Sequence, residues 1–353
     1  MLHRCFVYQK FLRCALLAGL LAQLNMAAQT KESTSATAAG DTMVLKMVTV
    51  SGSKNHQMNK TLPVAVLSGN ELRKRSGQNL AQVLQDVPGI SMLQTGATIS
   101  KPVINGLHGN RILLINNGVK QEGQQWGAEH APEIDPAIAG AIHVLKGAAG
   151  VRYGAEAMGG VIVLDPPKLP FGKQVSGEAG TAWASNGRMF GGGFTLKGGW
   201  VNHPEWAWRI QGSSRKSGNF KTADYFLNNT GVRELNFSAE AGFRKKRWML
   251  SAYGSYVHTA LGIFSGAHIG DTADLKVRMQ HEMPFETGNF SYRIDAPRQQ
   301  VVHRLYKTTA RYQLSDSNRI ECWYAYQEDQ RKEFDLRGAA GKILCGGWRP
   351  AEW

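Results

Sequence analysis

After Pro166-Pro167 the chain is written in strand-length runs with an apolar face and a polar face. Val175, Gly177, Ala179, Thr181 and Trp183 alternate with small or polar partners, and so do Phe237, Ala239, Ala241 and Phe243. Tyr306, Thr308, Ala310 and Tyr312 oppose Leu305, Lys307, Thr309 and Arg311. Ile320, Cys322, Tyr324 and Tyr326 make one more apolar face. Side chains change sides at every residue of a strand, so a period of two builds a sheet with unlike faces. Two architectures fit: a transmembrane barrel whose apolar face meets lipid, and a soluble sandwich whose apolar faces meet each other. Trp183, Trp200, Trp206, Trp208, Trp248 and Trp323 lie in or near these runs, and in the barrel some of them form an interfacial girdle.

The N-terminus narrows the choice of compartment. Arg4, Lys10 and Arg13 precede or open an apolar run over residues 14–24, and Met26-Ala27-Ala28 is an imperfect small-residue cleavage site. Residues 1–28 therefore read as a signal peptide for export. The run is too short to span a bilayer, and no other segment supplies the roughly 20 apolar residues of a membrane helix. A membrane form of this chain must be a closed barrel, because lipid leaves open-sheet backbone groups unpaired. Cys5 and Cys14 leave with the signal, and Cys322 with Cys345 make neither a disulfide framework nor a zinc-cysteine site. The formal charge over 353 residues is +14, but the cations are dispersed and do not alternate with stacking aromatics. No nucleic-acid partner is expected. The one tight cluster, Arg244-Lys245-Lys246-Arg247, reads as a solvated turn between strands.

Between these parts the pattern is mixed. Residues 31–40 are a Ser/Thr/Ala linker, and residues 41–52 are a β-prone stretch able to add to a partner's sheet edge. A strand is expected over residues 63–67, then a helix capped by Asn70. Leu80, Val83, Leu84 and Val87 have helical spacing, stopped by Pro88-Gly89. Strands follow at 112–115, 142–145 and 159–164, with a hairpin turn at Asn116-Asn117-Gly118 and a short helix over 136–141.

Four ordered blocks in this region carry a family resemblance. They are Leu62-Pro63-Val64 to Pro88-Gly89-Ile90; Pro102-Val103-Ile104-Asn105-Gly106-Leu107 with the strand and turn from Asn110-Arg111 to Gly118-Val119; Ile142-His143-Val144-Leu145-Lys146-Gly147; and Tyr153-Gly154 with Ala157-Met158-Gly159-Gly160-Val161-Ile162. Together they resemble the plug of TonB-dependent outer-membrane receptors. Asn105 departs from the Arg that such receptors commonly carry before Gly106. The resemblance implies an α+β plug domain followed by the N-terminal strands of an antiparallel transmembrane β-barrel, incomplete in this chain. It divides the chain into a signal peptide (1–28), a linker with a TonB-coupling segment (29–59), the plug (60–168) and a partial barrel (169–353). It implies coupling through Asp41, Thr42, Met43, Val44, Val48 and Val50, and plug-motif roles for Gly106, Arg111, Gly118, Lys146, Gly147, Tyr153, Gly154, Gly159 and Gly160. The implied partners are TonB of the TonB-ExbB-ExbD system and outer-membrane lipid.

Residues 124–135 are the most chemically loaded stretch. Glu129, His130, Glu133 and Asp135 place an imidazole among three carboxylates, a donor set for Zn, Mn, Ni or Fe. The stretch is similar to that of receptors in the zinc and metal-uptake branch. The same groups also suit a structural latch against the barrel wall. The expected cargo is a metal ion or metal complex, with siderophore or haem as the alternative and no resident cofactor. Residues 262–300 read as a long loop with His268, Asp271, Asp274, His281 and Glu282. Gly-x-Ser-x-Gly, His-Glu-x-x-His and phosphate-loop motifs are absent, so no enzyme is expected; the rival reading is an adhesin or structural barrel. At this family's strand spacing residues 171–353 supply about eight strands, too few for closure. Residues 341–353 do not alternate, so a truncated product with a frameshift or premature stop near 337–341 is expected.

Overall fold

The computed structural model describes residues 5–6, 64–95, 99–121, 132–267 and 271–335. A two-residue strand, β1 (Cys5–Phe6), lies antiparallel against the last strand of the main sheet. The N-terminal domain then runs β2 (Val64–Ser68), α1 (Asn70–Lys74), α2 (Leu80–Leu84), β3 (Ile90–Thr95), β4 (Ile99–Ile104), β5 (Ile112–Asn116), β6 (Val119–Lys120), β7 (Ala141–Lys146) and β8 (Gly160–Asp165). Its central sheet has the order β2-β7-β8-β5-β6, with β5 and β8 parallel, and β3 and β4 form a separate hairpin.

The run Ile112-Leu113-Leu114-Ile115 is apolar throughout because this sheet is covered on both faces. Ile112 and Leu114 join Leu84, Ile142, Val144 and Ile162 on one side. Leu113 and Ile115 join Leu145, Val161 and Ala157 on the other. Helix α2 supplies Leu80, Val83 and Leu84 and is held by a capping box between Asn79 and Gln82. Asn70, expected as a cap, is instead the first residue of α1; Gly69 is the cap position, and the Asn70 carboxamide accepts from Arg73 one turn on. The expected helix at 136–141 is only a 3-10 turn, Pro136–Ile138, because Ala141 already pairs with Asp165 in the sheet.

The C-terminal part is one antiparallel sheet. Its long strands are β9 (Ser176–Ala184), β10 (Met189–Gly199), β11 (Trp206–Ser217), β13 (Val232–Lys245), β14 (Trp248–Gly262), β16 (Arg298–Gln313) and β17 (Arg319–Phe334). They follow one another in sequence order from β9 to β17, and the sheet is open. Among the described residues these are seven long strands, and residues 263–297 form a single connection, as the loop expected over 262–300 would. It contains a 3-10 turn, helix α3 (Thr272–Met279) and β15 (Thr287–Gly288), which pairs with the short β12 (Phe226–Leu227) of the preceding connection. The basic cluster is the expected turn: β13 ends at Lys245, β14 begins at Trp248, and Lys246 has φ 52°.

One face of this sheet is apolar and uncovered. Phe194, Leu196, Leu235, Phe237, Leu250, Tyr306 and Ile320 are all exposed on it. A sandwich buries such a face; a lipid-facing wall presents it. At the end with short turns, Trp206 meets Phe243 at 4.9 Å and Trp248 meets Tyr312 at 4.7 Å, as a girdle would. Trp323 does not belong to it: it pairs across with Thr309 on the opposite face, where Lys307 Nζ lies 5.6 Å from its ring.

Gly160 joins the two halves of the N-terminal motif. Its φ is +148°, and a Cβ there would stand 2.7 Å from the Leu145 carbonyl oxygen. Gly160→Val should cost on the order of 2–4 kcal/mol through backbone strain and overpacking. Hydrogen exchange of the Ile112–Asn116 amides checks this; unchanged protection would show that β8 tolerates the side chain.

Candidate functional site

The inner face of the sheet is polar, and the N-terminal domain lies against it. The β5–β6 hairpin makes the first contact. Asn117 and Gly118 turn with φ 49° and 75°, which presents the Asn117 carbonyl outward. Lys307 Nζ donates to that oxygen at 2.6 Å, and Gln327 Nε2 donates to the Lys120 carbonyl at 2.7 Å. Val119 adds a small apolar contact with Tyr253 and Leu305.

Residues 132–140 make the second contact and contain two buried acids. Glu133 is ion-paired with Arg331 of β17. Its backbone carbonyl accepts from Gln121 Nε2 at 3.2 Å. Asp135 accepts from the Ala137 amide at 2.9 Å and from Ser213 Oγ at 2.7 Å, and Ser213 in turn accepts from Asn236 Nδ2 at 3.0 Å. Gln211 Nε2 donates to the Ile138 carbonyl at 3.1 Å. Nearby, Arg215 forks onto Glu234 at 3.0 and 2.6 Å while reaching the Gly77 carbonyl at 3.2 Å. A cavity of about 290 Å³ lies along this seam, bordered by Glu133, Asp135, Ser213, Asn236, Gln299 and Arg331.

Burial sets the charge state of the seam. It pushes the Glu133 carboxyl well above the usual range, with Arg331 opposing and Asp329 reinforcing that shift. It raises Asp135 as well, against the hydrogen bonds from Ser213 and Ala137. Lys101, buried on β4, is lowered to about 8 by burial and by the Arg331 charge.

The four acid and imidazole groups singled out in the sequence thus divide. Glu133 and Asp135 are engaged in fixing the domain to the wall, whereas Glu129 and His130 lie outside the described residues. Among the described residues no three His, Cys, Asp or Glu side chains are placed together to hold a metal ion. In the long connection, Asp271 caps α3 by accepting from the Asp274 amide at 2.8 Å, Asp274 pairs with Arg278 at 2.9 Å, and His281 contacts the Phe285 ring at 4.4 Å. The candidate coupling residues Asp41, Thr42, Met43, Val44, Val48 and Val50 also lie outside the described residues.

The glycine-rich motif residues are structural. Gly106, Gly118, Gly147, Gly154 and Gly160 have positive φ. Gly159 donates to the Arg111 carbonyl at 2.7 Å, so closely that a Cβ would stand 2.9 Å from Leu107 Cβ. Lys146 Nζ caps the Pro88 carbonyl at 2.5 Å, and Tyr153 packs beside Val161 with Arg152 over its ring.

Residues 56–161 match the family described as the TonB-dependent Receptor Plug Domain. This stretch is a TonB-dependent receptor plug domain. The chain is 31% identical over 126 residues to a hemin receptor of Yersinia pestis, covering 35% of this chain and 18% of that protein. It is 31% identical over 99 residues to the vitamin B12 transporter BtuB of Vibrio vulnificus, covering 28% of this chain and 16% of the relative. Its fold is similar to that of the siderophore receptor PirA from Acinetobacter baumannii, with a TM-score of 0.58 at 16% identity over 79% of this chain and 42% of that one. The chain therefore spans less than half the length of these relatives. The shared fold is a plug followed by antiparallel barrel strands.

Arg331, Gln211, Ser213 and Lys307 were not legible as plug contacts. Their only signal was a polar residue at an inward position of an alternating strand.

The raised Asp135 carboxyl makes the seam pH-dependent. Its folded pKa exceeds an unfolded value near 4, so the folded plug holds that proton more tightly. The stability it contributes is full below about pH 4 and is lost as pH rises toward the folded pKa. Asp135→Asn keeps an acceptor for the Ala137 amide and cannot ionise. It should match the parent in urea midpoint at pH 4 and exceed it at pH 8; an equal difference at both pH values would remove burial as the cause.

Proposed function

We propose that this chain is the plug and first barrel strands of an outer-membrane receptor that takes up a metal complex with energy from TonB. One observation carries the reading. A plug is seated on the polar inner face of a β-wall whose outer face is apolar and uncovered. The seam consists mainly of hydrogen bonds and ion pairs around a cavity. Individual hydrogen bonds contribute only about 1 kcal/mol net, whereas the plug's own core is a dense apolar sheet. A pull on the plug therefore meets less resistance at the seam than within the domain, which suits a gate.

The relatives' names, which speak of hemin, vitamin B12 and siderophores, support a cargo class. All three are bulky chelates with a metal at the centre. A metal complex of this kind is the favoured substrate, and a bare metal ion held by Glu129 and His130 is the finer possibility within it. In this reading the coupling segment within residues 41–52 adds as a strand to TonB in the periplasm, after export through a cleaved signal peptide. The protein works as a receptor and not as an enzyme.

Strand addition needs backbone N–H groups. Val48→Pro removes one and resists the extended pairing. In cells dependent on the supplied ligand, given haem, ferric siderophore, cobalamin or zinc in turn, Val48→Pro should abolish uptake and leave surface binding intact. Uptake at the parental rate would exclude coupling at this site, and adhesion without uptake in the parent would favour the adhesin.

A further inference from the structure

The outer face changes character one rung below its loop end. Register places Trp183, Phe190, Lys216, Arg233, Ala260, Gln300 and Lys332 side by side across the sheet. They share the face that carries Leu235 and Phe237. Trp183 and Phe190 are 71% and 61% exposed, as aromatics at a membrane interface are. Beside them come three exposed cations and no acid.

The position of this rung fits the headgroup level. Two of the three connections at this end, 218–231 and 263–297, are long and only 185–188 is short, whereas all three at the other end are short, which marks this end as extracellular in a barrel. From Arg233 to Phe243 of the lower girdle β13 rises roughly 34 Å along its axis. At the usual barrel tilt that is about 26 Å along the membrane normal, close to the height of an apolar band.

The charge arrangement is unfavourable without an anion. Lys216 and Arg233 are direct cross-strand partners, and like charges so placed repel. On the inner face, by contrast, Arg209, Arg215, Arg311 and Arg331 are each matched by a carboxylate. On the outer face Arg304, two rungs lower, is matched by Glu328. Among the described residues Lys216, Arg233 and Lys332 have no such partner. Lys216 is also held in place, with its Nζ 4.8 Å from the centre of the Tyr292 ring. One rung higher, Arg298 lies 4.3 Å from the Phe334 ring and adds a further cation at this end of the face.

We propose that this rung, centred on Lys216 and Arg233 and flanked by Lys332, is a docking site for the phosphate of anionic lipid headgroups in the outer leaflet. Ala260 and Gln300 separate Arg233 from Lys332 by three strand spacings, about 14 Å. The anion relieves the cross-strand repulsion, and its acyl chains lie on the apolar band below. The inference rests on the membrane-wall reading above.

The test uses the complete receptor whose plug and first barrel strands this chain supplies, in phosphatidylcholine vesicles doped with spin-labelled phosphatidic acid, whose phosphomonoester is the probe. The wild type should co-float with plain phosphatidylcholine vesicles and select phosphatidic acid over phosphatidylcholine at its surface. Lys216→Gln with Arg233→Gln should lower that selectivity about thirtyfold, since each basic residue near an anionic surface contributes about fivefold. Lys216→Arg with Arg233→Lys should keep it. A chain that does not float with plain vesicles overturns the membrane reading, and this proposal with it. A chain that floats but shows equal selectivity in the neutralised variant overturns the proposal alone. Abolition of the selectivity by millimolar inorganic phosphate would assign the rung to free phosphate and likewise overturn it.

Discussion

The inverted wall is the constraint on which the rest depends. A sheet that carries Phe194, Leu235 and Phe237 outward turns a mostly polar set of side chains inward, with a few apolar ones such as Val257 and Leu305 among them. Gln211, Ser213, Asn236 and Arg209 point inward, and without partners their burial would be costly. The plug supplies those partners. Its exposed carbonyls at Asn117, Lys120 and Ile138 and its acids Glu133 and Asp135 complete the inner-face network. The plug holds itself together by apolar packing and holds to the wall by polar pairing.

That division has a mechanical sense. Apolar packing inside the plug resists deformation everywhere, because removing any large core side chain leaves a cavity. The seam responds more selectively. Protonation, displacement of one strand or hydration of the 290 Å³ cavity can each change a few contacts without opening the plug core. The Glu133–Arg331 pair ties the plug to β17, far along the wall from the Ser213 and Gln211 contacts on β11. The plug is therefore anchored at several separated places, on β11, β16 and β17.

Much of the plug was legible in the sequence. The apolar run at 112–115 and the Asn-Gly turn after it are strong local signals, and the glycines at 118 and 160 mark backbone conformations that other residues resist. Boundaries were less secure. Asn70 has a capping side chain, but Gly69 adopts the non-helical conformation that starts α1. The stretch 136–141 looked helical until Ala141 found a sheet partner in Asp165. Trp323 reads as a girdle residue by type, yet its odd register on β17 turns it inward.

The alternation after Pro167 was likewise in the sequence, and by itself it allowed either a membrane wall or a sandwich. A period of two fixes that a strand has two unlike faces, because side chains alternate along any extended backbone. Which face is buried depends on what lies against it, and that information is not local. Only the tertiary structure placed the plug on the polar face and left the apolar face bare. It also turned Glu133 and Asp135 from candidate ligands into plug anchors, since their partners Arg331 and Ser213 lie 198 and 78 residues away in the chain.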